Sequence, residues 1–195
     1  MTPTTPRTLT LPTTLLTTLL LITLTTNATA NNPNLPPGGN HLLANVLDIC
    51  TTCDPLPELA THDRTPNEWE QYFRDQEHED QNDTPEDDGA LADLSDQQIA
   101  TLTSYLAINL PLPDDRIHDD ITTQHLPPDG PELMQRYCAV CHSLAVAVIP
   151  EWEIEQLWQD LLTDPHHIGT GLSDQRLEEI AAYLANNPMQ PDDLR

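Results

Sequence analysis

The stretch Cys138-Ala139-Val140-Cys141-His142 decides how the rest of the chain is read. Two thiols stand three positions apart on one helical turn, and an imidazole follows directly. This C-x-x-C-H spacing lets both sulfurs add to the two vinyl groups of a haem, while the adjacent His turns under the ring to ligate the iron. A disulfide or a metal site competes for the same five residues. The setting favours haem, because the sequence is poor in cysteine, looks exported, and carries a helix running into the motif.

Outward from the motif, the chain repeats itself. The C-terminal copy runs Cys138-x-x-Cys141-His142, Trp158, His167, Leu172-Ser173-Asp174 and Tyr183-Leu184-Ala185. The N-terminal copy starts near His41 and runs Cys50-Thr51-Thr52-Cys53-Asp54, Trp69, His78, Leu94-Ser95-Asp96 and Tyr105-Leu106-Ala107. Trp to His is nine residues in both copies, and Ser to Tyr is ten in both. First Cys to Trp is 19 in one copy and 20 in the other. The copies part between His and Ser, at 17 residues against 6, so the first carries an eleven-residue acidic insertion around Asp80 to Gly89. Several independent spacings that agree point to a duplication.

Each copy reads as a helix, the cysteine turn, a middle helix, a loop and a final helix. Gly130-Pro131 opens a helix with Pro at its favoured first position. Leu133, Tyr137 and Cys141 then share one face, as do Leu42 or Leu43, Val46, Ile49 and Cys53 in the first copy. The middle helices hold Trp69, Tyr72 and Phe73, and Ile154, Leu157, Trp158, Leu161 and Leu162. Ser95 and Ser173 are good N-caps, and Ser95 with Gln98 forms a capping box. Ile99, Leu102, Tyr105 and Leu106 make one apolar stripe, and Leu177, Ile180, Tyr183 and Leu184 its twin. Pro111 and Pro188 stop the two final helices. These stripes read as ordinary core. The expected divisions are a signal peptide over 1–30, a linker over 31–40, unit 1 over 41–112, a second linker over 113–130 and unit 2 over 131–195.

An iron held by His142 has a second axial position to fill. Unit 2 offers no Met before its last helix; Met189 comes after it, and Met134 precedes the motif. His166 and His167 do precede the last helix. His167 is the one matched in register by His78, so it is the expected distal ligand, with His166 as the alternative. Unit 1 keeps Cys50, Cys53 and His78, but Asp54 stands where the proximal His belongs. Three readings stay open there: a Cys50–Cys53 disulfide without haem; a second haem with His78 and another ligand such as His62 or His41; or thiol redox or metal chemistry. A zinc site shared by Cys50, Cys53, Cys138 and Cys141 is disfavoured by the 84 residues between the last two pairs' partners, Cys53 and Cys138. A thioredoxin-like role lacks the βαβ pattern it needs.

The bulk composition agrees with an exported redox carrier. The charge is −25, from 32 acidic residues against seven basic ones, all Arg. This excludes nucleic acid and anionic lipid as natural partners. It suits solubility, as in salt-adapted proteins, and it suits docking to a basic redox partner. With 19 Pro and one Phe, each small unit would have a thin core, and a large flat cofactor would add buried surface. Arg7, the Thr-interrupted apolar run Leu9 to Leu24, and Ala28-Thr29-Ala30 form the three regions of a secretory signal. An uncleaved membrane anchor is the competing reading. Cleavage before Asn31 would leave no membrane segment and place the chain in the periplasm.

Unit 2, from Tyr137 through His142, Ile149-Pro150, Trp158, Leu161-Leu162, His167-Ile168-Gly169 and Tyr183-Leu184-Ala185, resembles the exported cytochromes of the diheme cytochrome c family. Their pattern runs C-x-x-C-H, a Pro-containing turn, Trp, a His-x-Gly loop and a final helix ending in Tyr-Leu. The resemblance covers about 60 residues and reaches unit 1 only through the internal match. It implies an all-α chain of two tandem small cytochrome c-like helical units, the first degenerate, carrying electrons in the bacterial periplasm. It implies haem c on Cys138, Cys141, His142 and His167. Asp54 departs from the pattern and leaves the second haem in doubt. An electron carrier without catalytic side chains is the first expectation. A haem-bearing subunit docked to a larger oxidoreductase is the second. A haem peroxidase or reductase with open iron is the third.

Overall fold

In a computed structural model of the chain, the structure describes residues 35–76, 89–140, 155–164 and 171–188. Most of these residues are helical and none forms a strand, in keeping with the all-α expectation. The elements are α1 (Gly39–Ile49), α2 (Leu56–Leu59), α3 (Pro66–Arg74), α4 (Asp96–Asn109), α5 (Gly130–Leu133) continuing into a π turn (Met134–Cys138), α6 (Glu155–Leu162) and α7 (Asp174–Asn186). Among the described residues no helix is long and apolar enough to cross a membrane.

Local chemistry sets the helix ends. Thr65 and Glu68 bond reciprocally across the start of α3, with Pro66 at its first position. Ser95 and Gln98 do the same for α4, as the sequence predicts. Ser173 stands at the N-cap of α7, but its side chain makes no capping bond. Pro111 and Pro188 lie just past the ends of α4 and α7, where a ring without an N–H cannot continue a helix.

Two apolar clusters form. The first gathers Leu42, Leu43 and Val46 of α1, Leu56 and Leu59 of α2, Trp69 and Phe73 of α3, and Ile99, Leu102, Tyr105 and Leu106 of α4. The second gathers Leu133 and Met134, Trp158 and Leu162 of α6, and Ile180, Tyr183 and Leu184 of α7. The segment expected as a linker, 113–130, is no bare tether. Ile121 and Leu126 are buried in the first cluster, and the segment makes two short 3-10 turns. Leu35, expected in the first linker, packs against the second cluster. The predicted α1 face needs one correction. Cys50 leaves helical geometry at the C-cap and is itself buried, Ile49 is only half-buried, and Cys53 lies beyond the helix. Leu157, expected on the inner face of α6, is exposed.

The two first helices differ in length. Eleven residue steps separate Gly39 from Cys50, and eight separate Gly130 from Cys138. At about 100° per residue, eleven steps bring the cysteine to within about 20° of the glycine's direction, while eight leave it about 80° away. The π turn corrects this. It is closed by the Ala139 N–H donating to the Met134 carbonyl at 3.1 Å. Its wider turn takes up fewer degrees per residue and swings Cys138 back toward the second cluster, against which it packs. The regular i, i+4, i+8 face predicted for Leu133, Tyr137 and Cys141 is therefore interrupted.

A further repeated string precedes both first helices: Leu35-Pro36-Pro37-Gly38-Gly39 and Leu126-Pro127-Pro128-Asp129-Gly130. Its final glycine lets a tyrosine lie directly on the helix start. A Cβ at Gly39 would run into Tyr105, and one at Gly130 into Tyr183. The tyrosine hydroxyls then reach across. Tyr105 donates to the Pro127 carbonyl at 2.7 Å, and Tyr183 donates to the Pro36 carbonyl at 2.9 Å. Four residues after each tyrosine an asparagine also crosses over. The Asn109 Nδ2 donates to Glu179 at 3.0 Å, and the Asn187 Nδ2 donates to Thr101 at 2.8 Å. Helices α4 and α7 pack against each other along this line.

Candidate haem-attachment site

The C-x-x-C-H motif begins inside the π turn. Cys138, the last residue of that turn, is half-buried beside Tyr137 against the second cluster. Ala139 and Val140 form the following turn, and Val140 is 77% exposed. Cys141, His142, His166, His167 and, in the first copy, His78 lie outside the described residues. Tyr137 receives a hydrogen bond from Arg176 of α7 at 2.8 Å, which ties the helix bearing the motif to the last helix. What the described residues offer a haem is a half-buried cysteine turned onto an apolar wall that includes Trp158, 2% exposed. An apolar wall beside a cysteine suits a flat apolar group; the remaining expected donors, Cys141, His142 and His167, are known here from the sequence alone.

The first copy is built differently. Cys50 and Cys53 are joined by a disulfide, with Cα atoms 5.5 Å apart, and the Cys53 N–H donates to the Cys50 sulfur at 3.1 Å. A sulfur bonded to its neighbour cannot add to a vinyl group, so this arrangement does not fit a second haem. The disulfide also closes the C-terminal end of α1, where the helix dipole opposes a thiolate. That position is wrong for a reactive C-x-x-C pair.

Asp54, standing where the proximal His would be, is held by Tyr72. Its backbone N–H donates to the Tyr72 oxygen at 2.9 Å, and the Tyr72 hydroxyl donates to its carboxylate at 3.0 Å. Burial pushes the Tyr72 hydroxyl above its ordinary range, ahead of the opposing bond from the Asp54 backbone. His62 brings its Nε2 to 3.7 Å from the same carboxylate and sets its ring edge-on to Trp69. The Arg64 guanidinium lies over both Trp69 and Tyr72, 4.9 and 4.3 Å from their ring centres. His62 therefore sits near the cysteine pair. His41 does not; it is exposed near the start of α1, nine residues and about 13 Å of helix before Cys50.

Sequence reasoning missed the most deeply buried acid among the described residues. Glu179 of α7 is 3% exposed, its carboxylate accepting from the Gly130 N–H and from Asn109, both at 3.0 Å. Burial, reinforced by the nearby Asp129, pushes it well above the usual carboxylate range. The only signal in the sequence was its register, four residues before Tyr183, on the inner face of α7. Among the described residues no three His, Cys, Asp or Glu side chains gather as they would around a metal ion. Compared with known protein families, curated proteins and solved structures, the chain has no significant match.

Proposed function

We propose that the chain is an exported c-type cytochrome that carries electrons through one covalently bound haem in its C-terminal half. The observation that carries this is the C-x-x-C-H motif, whose first cysteine ends a helix with a π turn that directs Cys138 onto an apolar wall. Bound there, haem supplies one-electron oxidation and reduction at iron. Cys138 and Cys141 would hold the group through thioethers, and His142 together with His167, or His166 in its place, would supply imidazoles to its iron. Trp158, Leu133 and Met134 shield the site from water. The acidic surface orients encounters with a basic redox partner.

The N-terminal half is, in this proposal, a duplicate of the same unit that has given up its haem. The paired contacts support a duplication: glycine under tyrosine, tyrosine to the opposite proline carbonyl, and asparagine to the opposite final helix. The disulfide and the engaged Asp54 support the loss of haem. The same features favour a second reading, in which the chain is the haem-bearing subunit of a larger oxidoreductase. The closed first half then serves as the docking module, and co-purification with a large partner separates the two readings.

The test is the intact mass of the chain made in a host that attaches haem c, with a pyridine haemochrome spectrum. The expected result is the mass of one haem and a thioether-type spectrum. No added mass overturns the function, and two haems overturn the haem-free first half. In addition, His167→Ala should turn a low-spin spectrum high-spin. An unchanged spectrum removes His167 as ligand, and His166→Ala then tests the alternative.

A further inference from the structure

We propose that Glu179 and Asp129 form a proton-operated clamp where the two halves of the chain meet, closed when the pair is protonated and loosened as both carboxyls ionise. Glu179, on α7, fastens two other elements with one side chain. Its Oε1 accepts from the Gly130 N–H at the start of α5, and its Oε2 accepts from Asn109 at the end of α4. Asp129 fastens two more. It accepts from the Glu132 N–H at 3.3 Å, capping α5, and from the backbone N–H groups of Asn40 and His41 at the start of α1. Four helices therefore converge on two buried acids.

The charged surroundings are of one sign. Asp129 and Glu132 face Glu179 from the α5 side, and Glu178 neighbours it on α7. The titratable groups nearby on α4 and α7 are the hydroxyls of Tyr105 and Tyr183, both pushed upward by burial and by these acids. From α1 the pair receives backbone N–H groups. Arg116 acts on Tyr105. Among the described residues no arginine or histidine makes a salt bridge with either carboxyl. The amides at two helix starts and the Asn109 side chain are what offset the negative charge.

The opposite half makes the corresponding bond without a charge. There Asn187 donates to Thr101, which occupies the place of Glu179 four residues before the tyrosine. Packing of the junction does not require an acid, so Glu179 adds a response to protons. The sign follows from linkage. Burial and repulsion raise both carboxyls in the folded chain above their ordinary values. Their contribution to the junction is full below the ordinary carboxylate pKa and is lost as pH rises through the raised folded value.

The experiment uses the full chain as it is made, titrated from the ordinary carboxylate range upward through neutrality, because both carboxyls are raised. Infrared spectroscopy reads the protonated carboxyl band, and hydrogen exchange reads protection at the amides of Asn40, His41 and Gly130. A protonated carboxyl should persist above the ordinary glutamate range, and its band should weaken in Glu179→Gln. Protection at the three amides should fall through the same titration by about tenfold per pH unit for each proton released, and the fall should be shallower in Glu179→Gln, where Asp129 alone titrates. Asp129→Asn should move the titration to lower pH by removing the neighbouring charge, and it serves where Glu179→Gln fails to fold. A chain with no such band, a junction whose protection ignores pH, or an Asp129→Asn titration that stays in place overturns the clamp.

Discussion

At the scale of the residue, a few side chains carry the junction, and their burial makes them sensitive. Gly39 and Gly130 each lie under a tyrosine ring with no room for a methyl group. Gly130→Ala should therefore lower stability by about 1–3 kcal/mol, the usual result of overpacking, seen as a drop in thermal midpoint. Tyr183→Phe should cost about 1 kcal/mol, because the Pro36 carbonyl loses its donor. The C-x-x-C-H motif can be read at this scale as a proposal, since chemistry fixes its residue types, and of its two cysteines and its histidine the structure describes only Cys138. Glu179 was not, because its partners Asn109 and Gly130 lie 70 and 49 residues away. Locally, only its register four residues before Tyr183 distinguishes it from Glu178 beside it.

At the scale of the element, capping decides which substitutions matter. Thr65→Ala should cost about 1 kcal/mol, since Thr65 exchanges two bonds with Glu68. Ser173→Ala should cost a few tenths at most, because its side chain makes no capping bond. Equilibrium denaturation of the two variants checks the contrast. Reducing the disulfide should cost no more than about 2 kcal/mol, because the loop it closes is so short. The helices themselves were legible from periodicity, caps and prolines, which are local signals. The π turn was not. It arises from two demands that meet only in the folded chain: Gly130 must lie under Tyr183, and Cys138 must face the second cluster. The end of α1 was misjudged by a few residues because Cys50 bends inward instead of extending the helix.

At the scale of the molecule, the charge of −25 sets the response to salt. Going from about 0.1 M to about 1 M salt shortens the Debye length from about 10 Å to about 3 Å. Self-repulsion falls accordingly, and the thermal midpoint should rise. The same salt should weaken binding to a basic partner, so the two effects run in opposite directions. The internal repeat was legible from spacing. The way the parts engage was not, because every crosswise bond joins residues far apart in sequence.

That engagement has a consequence for how the chain is made. The bond from Tyr183 to Pro36 spans 147 residues, so the Pro36 carbonyl receives its donor only once α7 has been made. Until then Leu35 also lacks the surface it packs on. The N-terminal half thus leaves the ribosome complete in composition yet open along one side.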